Sequence, residues 1–310
     1  MLCILGPTAS GKSSLVMWLA TQRRDVEIIS LDSAQIYQAM DIGTAKPSLQ
    51  ERAEVPHHLI DILDPAESYS AARFVTDATK AAQEIRARGK VPVIAGGTML
   101  YFKALADGLD ALPSAPAEIR EAIRSRAQAD GWPQLHQELA RLDPQTAGRL
   151  DPNDAQRISR ALELHAFTGR TMSALIAESA AQQQRQPMAE PLTVIALQPE
   201  DRAWLHQRIA ERFHAMLRQG FLEEVRSLRQ RGDLHPSLPS MRCVGYRQAW
   251  DHLGGLIDHD AFVERAIAAT RQLAKRQITW LRSFGNLIRI DPKTSMQTAR
   301  DVCIETISEH

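Results

Sequence analysis

The sequence predicts an α/β protein. Its core is a parallel sheet of the P-loop NTPase type, interrupted by a helical insertion and followed by a helical C-terminal region. Three observations predict this. A short apolar run leads into Gly6-Pro7-Thr8-Ala9-Ser10-Gly11-Lys12-Ser13, which fits the phosphate-cradling pattern G-x-x-x-x-G-K-[S/T]. Strand-like and helical stretches alternate through the first third of the chain. From about residue 115 to 190 that alternation stops, and helical periodicity alone remains.

Leu2–Leu5 reads as a buried strand, and Ser13–Gln22 as the helix that a P-loop needs after its turn. Val26–Ser30 and Val91–Ala95 are further apolar strands, separated by a helical Ser70–Arg88. Pro113 and Pro116 mark the entrance to the insertion. Helices are expected there at Ala117–Ala129, Trp132–Leu142, Asp154–Thr168 and Met172–Gln184, and the polar run Gln182–Pro187 marks the exit. The sheet resumes at Leu192–Leu197. The expected division is therefore 1–114 with 191–310 as the core, and 115–190 as the insertion. Helices follow at Trp204–Gln219 and Phe221–Arg231, stopped by Gly220 and Gly232. In the long helix Asp260–Phe284, Ala266, Thr270, Leu273, Ala274, Leu281 and Phe284 form an apolar stripe. Arg271, Lys275 and Arg282 fall within roughly 40° of one another on a different face.

The 310 residues are 44% apolar and 24% charged, ordinary for a globular protein. No apolar run approaches the ~20 residues of a membrane span, and no signal peptide is expected. Three widely spaced cysteines, Cys3, Cys243 and Cys303, argue against a disulfide framework and a zinc site, and point to a reducing cytoplasm. Net charge is zero but uneven. Residues 202–290 carry 15 Lys/Arg against 8 Asp/Glu, a footprint for a polyanion or simply a solvated helical surface.

The P-loop turn aims N–H groups at phosphate oxygens. Lys12 is placed as a point charge on the outer phosphate, and the Ser13 hydroxyl as a Mg²⁺ ligand. Asp32-Ser33-Ala34-Gln35 follows the second strand, at the carboxyl edge where open sheets bind ligands. Asp32 can hold Mg²⁺ through water, accept a proton, or serve as a helix N-cap. Gly96-Gly97-Thr98 ends the third strand; its glycines permit close approach to a ligand, or form a plain turn.

Taken together, GPTASGKS (6–13), DSAQIYQAMDIGTAKP (32–47), GGTMLYFKAL (96–105), NDAQRISRALE (153–163), RCVGYRQ (242–248) and TRQLAKRQITWLR (270–282) resemble the tRNA dimethylallyltransferase (tRNA isopentenyltransferase) family over nearly the whole chain. Position 13 is Ser where Thr is also usual. Eukaryotic relatives can carry a C-terminal zinc finger; without one here, the bacterial type is expected. The resemblance implies transfer of a dimethylallyl group from dimethylallyl diphosphate to N6 of the adenosine 3′ of the tRNA anticodon, releasing pyrophosphate. It implies a monomer working with Mg²⁺ on the anticodon stem-loop. It makes Asp32 the base and puts Thr8, Lys12 and Arg212 at the diphosphate, which the loop 6–13 binds as it would a nucleotide such as ATP. It also implies tRNA contacts at Asp32, Ser33, Ala34 and Gln35; at Thr98 and Arg120; and at Gln156, Arg157, Ile158, Ser159 and Arg160. Further contacts are implied at Arg242, Cys243, Val244, Gly245, Tyr246 and Arg247, and at Lys275, Arg276, Gln277, Ile278, Thr279, Trp280, Leu281 and Arg282. Two other readings stay open. A P-loop kinase explains the loop, Asp32 and a helical lid, but not RCVGYR or the basic terminal helix. A nucleotide-gated RNA-binding protein has no need of a base.

Overall fold

A computed structural model of the protein describes residues 1–108, 112–113, 115–183 and 192–308. The expected boundary positions 114, 190 and 191, and the exit segment from 184 to 187, lie outside the described residues. In chain order the elements are β1 (Leu2–Leu5), α1 (Lys12–Gln22), β2 (Val26–Leu31), α2 (Leu49–Glu54), β3 (His57–His58), α3 (Ala71–Ala87), β4 (Val91–Gly96) and α4 (Met99–Asp107). Five helices follow: α5 (Ala117–Asp130), α6 (Trp132–Leu142), α7 (Pro144–Ala147), α8 (Ala155–Thr168) and α9 (Met172–Gln183). The last elements are β5 (Thr193–Leu197), α10 (Arg202–Arg218), α11 (Phe221–Gln230), α12 (Tyr246–Leu253), α13 (His259–Ser283), β6 (Ile288–Ile290) and α14 (Met296–Ser308). Two compact units result, Met1–Ala106 with Glu190–His310, and Asp107–Ala189.

In the first unit all six strands are parallel, in the order β3-β2-β4-β1-β5-β6. β1 is central, and every residue of it is buried. Alternation along the strand explains why four apolar residues suffice. Leu2 and Ile4 enter a cluster with Leu15, Leu19, Cys303 and Ile307, while Cys3 and Leu5 enter another with Phe74, Ile85 and Phe102. A third cluster, around Phe213, Phe221, Tyr246 and Phe262, unites α10 to α13 with Ile36, Tyr37 and Met40. Strands β3 and β6 are absent from the sequence reading. At two and three residues they are too short to carry an alternation pattern. Among the described residues no helix is long and apolar enough to cross a membrane.

The second unit is helical. Ile123, Leu135, Leu139, Ile158 and Leu162 form its core. Buried Asp143 accepts hydrogen bonds from Thr146 N–H, Thr146 Oγ1 and Ser173 N–H, which pins the start of α7 to the start of α9. These bonds outweigh the cost of its burial and hold the carboxyl below the usual range.

Candidate active site

Strand register builds the site. Leu5 of β1 lies beside Gly96 of β4, and Gly96 lies beside Leu31 of β2. Three neighbouring strands thus end on one row, and Gly6, Gly97 and Asp32 step off it together. With strands about 4.8 Å apart, Asp32 and the P-loop face each other across roughly 10 Å. They border a cavity of about 690 Å³ within the first unit. Thr8, Ala9, Lys12 and Ser13 line it from the loop, and Asp32 to Gln35 and Gly97-Thr98 from the sheet edge. Arg212 lines it from α10, Arg242 to Tyr246 from the segment leading into α12, and Arg276, Gln277 and Trp280 from α13.

The loop is braced by the protein itself. Ala9 has φ 63° and Gly11 φ 100°; a Cβ on Gly6 would lie 2.7 Å from Ser10 Oγ and 2.8 Å from Leu197 O. Pro7 and Ser10 are buried beneath. Two loop amides are engaged within the protein. Ser10 N–H donates to Pro7 O (3.3 Å) and Thr8 N–H donates to Gln277 Oε1 (2.8 Å). Lys12 Nζ donates to Pro7 O at 2.7 Å. Burial, then the neighbouring Arg212, pull the Lys12 ammonium down to about 7, against the opposing pull of Asp32. The Arg212 guanidinium is likewise lowered by burial, with Asp32 opposing.

Asp32 Oδ1 accepts from Ala34 N–H (2.8 Å) and Gln35 N–H (3.3 Å) and so closes a turn; no helix starts there, and the helix N-cap reading does not hold. Among the described residues only Oδ1 is engaged by hydrogen bonds, which leaves Oδ2 for chemistry. Thr98 Oγ1 accepts from Ser33 N–H at 2.9 Å and ties the Asp32 segment to β4. Gln35 is held by Ser30 Oγ and donates to Thr44 O and Ala45 O. The paired glycines admit protein rather than ligand. A Cβ on Gly96 would meet Leu31 O at 2.0 Å, and one on Gly97 would meet Gln277 Nε2 at 2.5 Å.

Other expected residues fall elsewhere. Lys275, Thr279 and Arg282 are exposed on α13, and Arg247 on α12, outside the cavity lining. Arg120, Gln156, Arg157, Ser159 and Arg160 belong to the helical unit, where Arg160 donates to Leu112 O and Pro113 O. Several residues of the expected RNA-contact segments are buried. Ile158, Tyr246 and Leu281 are each fully buried in apolar clusters, and Gln277 is 9% exposed. Ile278 packs with the cluster around Ala9, and the backbone of Gly245 is buried. These side chains support their neighbours, and Gly245, Tyr246 and Gln277 also line the cavity.

Sequence reasoning missed two supports. Arg208 stacks on Trp204, 4.9 Å from the ring centre, and donates Nε to Ala9 O at 2.8 Å. Its position one turn before Arg212 was the available signal. Glu224 accepts from the N–H groups of Asp41, Ile42 and Gly43 (2.9, 2.6 and 3.2 Å) and from Tyr246 OH (2.5 Å). Only the fold reveals that pairing, because more than 180 residues separate the loop from α11.

A phosphate-binding loop facing a carboxylate, with two cations nearby and a cleft between, defines a P-loop α/β protein suited to group transfer from a diphosphate. Residues 35–284 match the family described as IPP transferase. A tRNA dimethylallyltransferase of Cupriavidus necator is 58% identical over 292 residues, covering 94% of this chain and 90% of the relative. One from Bordetella petrii is 58% identical, with 94% and 92% covered. The full-length tRNA isopentenylpyrophosphate transferase of Bacillus halodurans superposes with a TM-score of 0.70 at 32% identity, covering 99% of this chain and 95% of that one. A eukaryotic dimethylallyltransferase acting on tRNA gives a TM-score of 0.80 at 27% identity, covering 100% and 80%. The chain belongs to the IPP transferase family.

Proposed function

We propose that the protein transfers a dimethylallyl group from dimethylallyl diphosphate to N6 of the adenosine 3′ of the tRNA anticodon. The observation that carries this reading is the P-loop facing Asp32 across one cavity, in a chain of this family. The diphosphate lies in the loop, beside Thr8, Lys12 and Arg212. As the allylic C–O bond breaks, negative charge grows on the leaving diphosphate, where Lys12 and Arg212 meet it. One such preorganised donor contributes about 3–4 kcal/mol. The N6 amine is a weak nucleophile because its lone pair is delocalised into the purine. As the N–C bond forms, its proton passes to Asp32 Oδ2, worth about 10²–10⁴-fold.

The donor set fits Mg²⁺. Ser13 offers an exposed hydroxyl at the start of α1 and Asp32 a carboxylate, and both line the cavity. Among the described residues no group of three or more His, Cys, Asp or Glu could hold a metal, so diphosphate and water would supply the remaining oxygens. When bound, Mg²⁺ neutralises the leaving diphosphate.

The target base leaves the anticodon loop to reach the cavity, at a cost of a few kcal/mol. Loop bases are where RNA sequence is legible. Arg242, Cys243 and Val244 with Arg276 and Trp280 form the RNA side of the cavity, and Lys275, Arg282 and Arg247 extend it over the surface. The helical insertion grips the stem-loop through Arg120 and the Gln156–Arg160 segment. The enzyme acts as a monomer in the cytoplasm. Incubation with labelled dimethylallyl diphosphate and unmodified tRNA tests the reading. Label should enter RNA with one pyrophosphate per prenyl group. Unlabelled RNA, with ADP and a phosphorylated acceptor formed from ATP, would restore the kinase reading.

A further inference from the structure

We propose that Gln277 is a positioning residue: it fixes the P-loop and the Gly97-Thr98 turn to helix α13, so the helix that carries the basic surface also sets the donor-site geometry. The proposal rests on the functional reading above.

α13 sends Lys275, Arg276, Thr279 and Arg282 outward and Gln277 inward. Both ends of the Gln277 amide are used. Oε1 accepts from Thr8 N–H at 2.8 Å, and Nε2 donates to Gly97 O at 2.9 Å. A primary amide is the neutral group that offers an acceptor and a donor side by side. The turn is shaped to receive it, since a Cβ at Gly97 would stand 2.5 Å from Nε2 and 3.1 Å from Gly6 O. A second contact of the same helix reinforces the first. Ala274 and Ile278 pack in the cluster that contains Ala9. Two successive P-loop residues are therefore held by α13, Thr8 by a hydrogen bond and Ala9 by packing.

From Gly97 the connection continues to the base. Thr98 Oγ1 accepts from Ser33 N–H, one residue beyond Asp32. A single buried side chain thus fixes the spacing of the diphosphate cradle relative to the strand end that carries Asp32. Space-filling alone does not require both polar atoms. A displacement of about 1 Å at reacting groups costs on the order of 10²-fold in rate.

The test uses the full-length enzyme with Gln277→Met and Gln277→Glu. Single-turnover prenyl transfer, inorganic pyrophosphate binding, tRNA affinity and thermal unfolding are measured for each. Gln277→Met fills the space without either hydrogen bond. It should lose about 10²-fold in single-turnover rate and several-fold in pyrophosphate affinity, with tRNA affinity within twofold of wild type. Gln277→Glu keeps the acceptor for Thr8 but gains a donor for Gly97 O only when protonated. Burial raises a carboxyl into an accessible range. The ratio of its rate to wild type should therefore rise several-fold between about pH 8 and about pH 6. A Gln277→Met rate within threefold of wild type with unchanged pyrophosphate affinity would overturn the proposal, as would a flat ratio for Gln277→Glu. Loss of tRNA affinity in step with rate would also overturn it, by placing Gln277 on the RNA surface. If the wild-type protein transferred no prenyl group, the functional reading would fail, and pyrophosphate affinity in the two variants would still decide the role of Gln277.

Discussion

Replacing Asp32 with Asn removes a charge and leaves the scaffold in place. The Oδ1 atom that accepts from Ala34 N–H and Gln35 N–H exists in both side chains. Asn and Asp side chains serve such turns alike, so stability should change by less than about 1 kcal/mol. What disappears is the second carboxylate oxygen, the proposed proton acceptor. Loss of a general base costs about 10²–10⁴-fold, or roughly 3–5 kcal/mol of barrier. The substitution also takes away the carboxylate that opposes the lowering of the Lys12 ammonium, so Lys12 should titrate lower still. The assay is single-turnover transfer from labelled dimethylallyl diphosphate with saturating tRNA, beside filter binding of tRNA and thermal unfolding. The expected outcome is a rate at least 10²-fold down, with tRNA affinity and unfolding temperature nearly unchanged. A variant that keeps more than a tenth of the wild-type rate would remove Asp32 from the base role and leave it a turn residue.

Lys12 should couple diphosphate binding to protons. The free enzyme carries it half-neutral near pH 7, and it is charged below that pH. Pyrophosphate should therefore bind with proton uptake near pH 8 and weaken as pH rises. Calorimetry in buffers of different ionisation enthalpy, with Lys12→Arg as the always-charged control, reads this. Identical proton uptake in both proteins would contradict it. Glu224→Ala strands three backbone N–H groups and the Tyr246 hydroxyl. A cost of about 2–4 kcal/mol is expected, at roughly 2–4 °C of unfolding temperature per kcal/mol. An unfolding temperature unchanged within 2 °C would show that water replaces the carboxylate. Lys275→Ala with Arg282→Ala should weaken tRNA binding and shallow its salt dependence by up to about one log unit of slope per lost phosphate contact, at unchanged donor affinity. A salt series identical to wild type would move the RNA surface elsewhere.

Local patterns made the architecture legible. A buried strand, a turn of fixed spacing and a helix announce themselves within the first 22 residues, and the four longer helices of the insertion follow from period, while the four-residue α7 is too short to show one. Asp32 was legible because a strand end next to a P-loop is a position with consequences. The hidden part is tertiary. Gln277 and Arg282 share one helix and one motif, yet one is a buried brace and the other an exposed cation. Helical period sets Gln277 on the line of the apolar stripe and Arg282 on the basic face, but the partners of the Gln277 amide appear only once the Gly97 turn and Thr8 are placed beside the helix. The bonding of Tyr246 was hidden for the same reason. Its hydroxyl belongs to Glu224, and its ring packs edge-on against Phe221, 5.2 Å between centres. The short strands β3 and β6 needed the sheet edge to exist before their residues had a pattern to obey.

The strand order has a consequence for how the chain is born. β1 leaves the ribosome before both of its partners, β4 and β5, and β5 begins at Thr193. At ~5–20 residues per second, one edge of that apolar strand waits roughly 10–40 s for its neighbour. The helical unit, contiguous between Asp107 and Ala189, can close on itself during the wait. The phosphate cradle waits longer still, because the residue that braces Thr8 lies on α13. The P-loop, synthesised long before α13, is therefore among the last parts of the molecule to take its working shape. A chain cut short before α13 would carry the complete P-loop signature without the clamp that holds it.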